Sequence, residues 1–278
     1  MTESTLSTHI TADGRTLAVQ DWMLEPGLAV RGVVLIVHGL GEHAGRYDAL
    51  AEQLNAWGFA VRGYDQHGHG ESFGVRGSLP SDTCLLDDLA ELLDATRARM
   101  ATDVPLILLG HSLGGLVAAR LVSLALQPVD ALVLSSPALD AGLNMFQKLL
   151  VAVLPKLLPD LRVGNGLNPA FIAHPADVVQ AYKADRLVHD RICGRLARFI
   201  AQAGPAVLAQ AATWTVPTLL LYAGSDRLVN PEGSRRFAQA APKDVVHSLC
   251  FDALYHEIFN EGDAAVFTAL QRWLGLRF

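Results

Sequence analysis

Cysteine is scarce in this chain. Cys84, Cys193 and Cys250 are odd in number and far apart, which excludes a disulfide framework and a zinc-ligand spacing and leaves three reduced thiols packed as small apolar residues. No uninterrupted apolar run reaches the ~18 residues of a membrane span. The opening MTESTLSTHITADGRT has no basic start followed by an apolar stretch, so no signal peptide is expected. Positive charge is not in excess either: 22 Lys and Arg against 28 Asp and Glu give a formal charge of −6. With Arg235-Arg236 as the densest basic pair, the electrostatic footprint of a nucleic-acid partner is missing. Internal repeats and low-complexity tracts are lacking too. These absences point to a soluble, cytoplasmic protein, and they leave its oligomeric state open.

What the chain does have is apolar content, 51% of 278 residues, enough for one large core. Strand-like and helix-like segments alternate, as in a mostly parallel sheet covered by helices. Asp13-Gly14 marks a turn between two short opening strands, with Thr16 to Met23 alternating. Strands are expected at Gly32–Val37, Phe59–Tyr64, Leu106–Leu109, Ala131–Leu134, Pro217–Tyr222 and Val245–Phe251. The continuous β-branched and Leu run of Gly32–Val37 suits burial on both faces. Helices are expected at Tyr47–Trp57, Leu85–Met100, Leu116–Leu126, Pro231–Ala240 and Asp263–Leu274. Between about Asp140 and Thr213 the pattern is helical, with no strand evident. The expected organisation is therefore a core of residues 1–139 and 214–278 carrying a helical insertion at 140–213.

Gly110-His111-Ser112-Leu113-Gly114 matches G-x-S-x-G, and it follows an apolar strand and leads into an apolar helix. That context makes Ser112 the candidate nucleophile, lifted above the sheet on a tight turn that tolerates no side chain two residues to either side. The turn also aims the Leu113 N–H at a developing oxyanion. A second N–H is expected from Leu40, in the glycine-containing loop His38-Gly39-Leu40-Gly41 after an earlier strand. His38 reads as a brace for that loop, and His111 as a residue of the pocket rim.

With this elbow the chain order is serine, acid, histidine. Of the histidines after Ser112, His174 and His189 fall in the insertion and His247 inside an expected strand. His256 alone lies in a loop between the last strand and the last helix, and is the candidate base. Asp226, just past the strand that ends at Tyr222, is the candidate acid. Asp252 and Glu257 are rivals by proximity, but loop neighbours rarely adopt the geometry a base requires.

Together HGLGEHAGRY, YDQHGHGES, GHSLGG, AGSDRLV and YHEIFNE resemble the monoacylglycerol lipase and lysophospholipase branch of the α/β-hydrolases, from about Gly32 to the end. The resemblance implies a mostly parallel central sheet flanked by helices with a helical cap. It also implies hydrolysis of a single fatty-acyl chain on a small alcohol, without metal or cofactor. Ser112, Asp226 and His256 match the triad positions, and Leu40 and Leu113 the oxyanion positions. Glu42 and Arg46 match a pair that fixes the loop near the glycerol end; a surface ion pair one helical turn apart is the other reading. Past the base, Phe259 stands where animal relatives carry a second histidine, and Val229 where they carry a cysteine. Both departures leave the triad positions intact; they bear on how a glycerol end would be held, and so on whether monoacylglycerol is the preferred substrate. A short- to medium-chain carboxylesterase, an acyltransferase, a peptidase and a catalytically silent binding protein remain alternatives.

The insertion opens LNMFQKLLVAVLPKLLPDL, whose apolar residues cover more than one helical face. Either this helix is buried all round, or Phe146, Leu150 and their neighbours form an acyl-chain tunnel or a lid touching a membrane surface. Tyr182, Asp185, Leu187, Val188 and His189 resemble the part of the cap that descends over the site.

Overall fold

The computed structural model describes residues 4–25, 27–142 and 157–278. Phe146, Leu150 and the rest of the first cap helix read from sequence lie outside the described residues.

Among the described residues eight strands form one sheet. The opening hairpin is β1 (Ser4–Ile10) and β2 (Thr16–Trp22), antiparallel to each other, and β2 is antiparallel to β4 (Phe59–Tyr64). From β4 across β3 (Gly32–Val37), β5 (Leu106–His111), β6 (Ala131–Ser135), β9 (Thr218–Ala223) and β10 (Val246–Phe251), every pairing is parallel. The central parallel strands β3, β5, β6 and β9 are largely apolar because both faces are covered, whereas β10 at the edge buries Val246 and exposes His247 to Leu249. In β3, Leu35 and Val37 join the core on one face, Val34 and Ile36 that on the other. Helices α2 (Cys84–Arg97) and α3 (Leu113–Ser123) cover the first face; α1 (Asp48–Ala56) and the C-terminal α7 (Ala264–Gly275) cover the second.

Two sequence expectations need correction. Helix α3 begins at Leu113, directly after Ser112, three residues before the expected start. Gly114 and Gly115 read as loop residues, yet they are helical because the helix is pressed against the sheet. A Cβ on Gly114 would stand 2.0 Å from the Val37 carbonyl oxygen. The segment between β6 and β9 is also not purely helical. It contains a two-stranded antiparallel ribbon, β7 (Arg162–Gly164) with β8 (Arg191–Cys193), pairing Arg162 with Cys193 and Gly164 with Arg191. Three-residue strands are too short to show a period of two. Helix α4 (Ala176–Ala184) lies between the ribbon strands in sequence, and α5 (Gly194–Gln210) follows them. Leu196, Ala203 and Val207 of α5 join the same core cluster as α3. Helix α6 (Glu232–Ala240) then connects β9 to β10.

Because the central strands run parallel, the loops that leave their carboxyl ends gather along one edge, the place where open α/β sheets bind ligands.

Candidate active site

Ser112 sits between β5 and α3 with φ 53° and ψ −118°, a conformation that costs an L-residue on the order of 1–3 kcal/mol. The fold holds it there: the Ser112 N–H donates to the Ser135 carbonyl at 2.9 Å, and the Ser112 carbonyl accepts from Leu116 and Ala138, each at 3.0 Å. As the first residue of α3, Leu113 has no intrahelical acceptor for its N–H, and the helix N-terminus adds a favourable field for negative charge. The loop after β3 lies against the serine. A Cβ on Gly39 would meet the Ser112 Cβ at 3.2 Å and Glu42 Oε1 at 2.7 Å, so only glycine permits this approach. His38 braces the loop, donating from Nδ1 to the Gly39 carbonyl at 2.8 Å and accepting at Nε2 from the Gln66 N–H at 2.9 Å. Among the described residues the Leu40 N–H has no protein acceptor.

His256 is buried, 5% exposed, and its Nδ1–H donates to Asp226 Oδ2 at 2.6 Å. Oδ1 of the same carboxylate accepts the Leu228 and Val229 N–H groups at 2.8 and 3.0 Å. Burial by itself would push the Asp226 carboxyl up, but the His256 charge and hydrogen bond, with those two N–H groups, hold it below the ordinary range. Burial likewise opposes the His256 imidazolium, and the Asp226 charge and hydrogen bond override it and raise the pKa above 6.5. The rivals point elsewhere. Asp252 Oδ1 accepts from the Cys250 thiol at 3.2 Å, and Glu257 faces Arg46. The 2.6 Å bond from Nδ1–H to Asp226 takes up one ring nitrogen and leaves Nε2 as the nitrogen able to exchange a proton elsewhere.

Glu42, Arg46, His111 and Phe259, expected at the substrate, come together in this structure. Together with Tyr47, Glu257 and others they surround a cavity of about 20 Å³, room for one water. Glu42 Oε1 accepts from the Gly39 N–H at 2.6 Å and from the Tyr47 hydroxyl at 2.7 Å, while Oε2 pairs with Arg46. Burial would raise the Glu42 carboxyl; Arg46 and the neighbouring His111 and His38 bring it down to about 2. The Glu42–Arg46 pair is thus a buried loop tie and not a solvated surface pair. His111 Nδ1 lies 3.1 Å from the Ser135 hydroxyl, and burial followed by the neighbouring His256 lowers its pKa to about 4. The Phe259 ring packs on Phe267, centroids 5.4 Å apart. Val229, expected at the substrate, touches the site through its backbone N–H on Asp226.

The sequence reading missed the contacts that seat residues 171–189 on these loops. His189 N–H donates to the Gly41 carbonyl at 2.8 Å, and Glu257 N–H to the Ile172 carbonyl at 2.7 Å. His43 and Asp185 pair at 2.8 Å, the Tyr182 ring lies 4.6 Å from the Arg46 guanidinium, and Arg227 sits between Phe171 and Tyr255 at 4.7 and 5.4 Å. Residues of this segment, Ile172, Tyr182, Val188 and His189 among others, with Leu228, line a cavity of about 330 Å³. Among the described residues no three His, Cys, Asp or Glu side chains converge as a metal-ligand set, and no helix is long and apolar enough to cross a membrane.

A parallel sheet whose carboxyl-end loops gather a strained serine, an imidazole and its carboxylate defines the α/β-hydrolase fold. The chain belongs to the family described as serine aminopeptidase, S33, whose model matches residues 29–263. It is 34% identical to a monoacylglycerol lipase of Mycolicibacterium smegmatis over 94% of both chains. It is 31% identical to phospholipase YtpA of Bacillus subtilis, covering 82% of this chain and 89% of that one. The solved monoacylglycerol lipase of Paleococcus ferrophilus superposes with a TM-score of 0.80 at 32% identity, covering 98% of each chain.

Proposed function

We propose that the chain is a serine ester hydrolase, with Ser112 as nucleophile, His256 as general base and Asp226 orienting that base. Its substrates on this reading are esters of a single acyl chain, monoacylglycerol or lysophospholipid. The observation that carries the reading is the 2.6 Å bond from His256 Nδ1 to Asp226, with the His256 ring 4.7 Å from that of His111, the residue before a serine at a strand-to-helix turn. The substrate class is supported by the lipase and phospholipase relatives.

His256 Nε2 takes the Ser112 hydroxyl proton as Oγ attacks the ester carbonyl. The oxyanion that forms lies against the Leu40 and Leu113 N–H groups, each such donor contributing ~3 kcal/mol of transition-state stabilisation. The imidazolium gives its proton to the departing alcohol. Water, activated by the same ring, then releases the acid from Ser112. Every proton transfer uses groups of this chain, so the reaction calls for no metal or cofactor.

A contact with the membrane surface is supported by the exposed Leu157, Leu158, Leu161 and Val163, 72%, 49%, 47% and 50% exposed, beside Arg162 in the cap. The three unpaired cysteines suit a reducing compartment such as the cytoplasm. A peptidase would need free carboxylates for a peptide amine. Asp185 pairs with His43 at 2.8 Å, and Asp190, 71% exposed, pairs with its neighbour Arg191 at 3.1 Å; these cap acids form no cluster, which disfavours that role.

The test is hydrolysis of p-nitrophenyl esters across acyl lengths, and of a monoacylglycerol, by wild type and Ser112→Ala. Turnover of long and medium chains that vanishes in Ser112→Ala is expected. A rate that falls steadily beyond short chains would make this a short-chain esterase. Equal inertness of both proteins would end the hydrolase reading.

A further inference from the structure

We infer that Glu257 is a positioning residue: through Arg46 and Glu42 it ties the loop of the base to the loop of the oxyanion hole. This rests on the roles proposed above for His256 and Leu40.

The tie is continuous. Arg46 Nη1 and Nη2 donate to Glu257 Oε1 and Oε2 at 2.7 and 2.8 Å, a two-pronged geometry suited to the planar guanidinium. Arg46 Nη1 also pairs with Glu42 Oε2, and Glu42 Oε1 holds the Gly39 N–H at 2.6 Å. Glu257 follows His256 directly, and Gly39 precedes Leu40. One guanidinium therefore joins the peptide before the oxyanion donor to the residue after the base. Glu42, Arg46 and Glu257 side chains are 5%, 11% and 7% exposed, so solvent screens these bonds little. Both ends are braced, Glu42 by the Tyr47 hydroxyl at 2.7 Å and Glu257 by the Asn260 side-chain amide at 2.8 Å. Tyr182 covers the guanidinium from the cap side.

The arrangement has two consequences that a simple packing role would lack. Losing the tie loosens the relative placement of base and oxyanion donor, which matters in the transition state more than in substrate binding. The cluster also holds two carboxylates against one guanidinium. The Glu257 and Glu42 charges, after Asp226, favour the protonated form of His256.

The experiment compares wild type with Glu257→Gln, Arg46→Lys and the double variant on a p-nitrophenyl ester, with thermal melts. Glu257→Gln keeps the shape and the bond from Asn260 but removes the charge. The expected result is a kcat about tenfold lower with KM within about twofold, and an acidic limb of kcat/KM moved to lower pH. Arg46→Lys keeps a positive charge but cannot fork between two carboxylates, and should lose kcat similarly. Because both act through one tie, the double variant should be no worse than about twofold below the poorer single. Tyr47→Phe, which removes one donor to Glu42, covers the case in which Glu257→Gln does not fold; about threefold lower kcat at unchanged KM is expected. Multiplying losses, an unmoved pH limb, or kcat within twofold of wild type would overturn the tie while wild-type turnover left the hydrolase reading intact. An inert wild type would remove that reading and the tie with it.

Discussion

The imidazole rings of His111 and His256 lie with centroids 4.7 Å apart and their planes tilted by 54°. Two positive charges at that separation are mutually unfavourable, and the fold resolves the conflict by environment. His111, buried, has its pKa lowered to about 4; His256, on the Asp226 carboxylate, has its pKa raised.

One ionisation should therefore shape the acidic limb of activity. The base works neutral, so kcat/KM falls as pH drops through the raised His256 pKa, and the limb should lie above that of a free histidine. Its slope should be one decade per pH unit, because His111 stays neutral throughout. A slope of two between pH 5 and 7 would mean that both rings take up protons together. Rate measurements over that range decide it.

Replacing Asp226 with Asn tests the orientation of the base. The Leu228 and Val229 N–H groups on Oδ1 require an oxygen there, which turns the Asn amide nitrogen toward His256. The ring must then carry its proton on Nε2, where it cannot accept one from Ser112. A loss of kcat of about 10⁴ is expected, as in triads where the same exchange fixes the wrong tautomer. A loss under tenfold would remove Asp226 from its role.

Ser112 also stores backbone strain. At φ 53° and ψ −118° glycine is at ease and alanine is not. Glycine in place of another residue ordinarily costs about 0.5–1 kcal/mol. Relief of strain of about 1–3 kcal/mol should offset that cost. In thermal melts Ser112→Gly should be at least as stable as Ser112→Ala, with both inactive. A Gly variant melting well below the Ala variant would show that the turn is unstrained.

The sheet was legible because buried parallel strands announce themselves: Val33 to Val37 and Leu106 to Leu109 are unbroken apolar runs. Ser112, Asp226 and His256 could be ordered from sequence, since each follows a recognisable strand. The start of α3 was misplaced because glycine counts against helix locally, whereas Gly114 is dictated by the Val37 carbonyl beneath it, a contact across the sheet. The partner of Arg46 was hidden for a similar reason. Glu257 lies 211 residues away, and nothing local marks it beyond its place beside the base. The ribbon of β7 and β8 is held by pairing partners 27 to 31 positions apart, from Gly164 with Arg191 to Arg162 with Cys193, which no local window contains.

The parallel order of β3, β5, β9 and β10 has an architectural result. Each of the four segments that make the site, beginning at residues 38, 112, 224 and 252, hangs from its own strand like a tool from a common rail. Lengthening one of them would recast the chemistry without re-registering a single strand pair. The turns at the opposite rim carry none of this machinery, and that rim is where the molecule can absorb insertions, tags or drift in sequence while its reactive edge stays as it is.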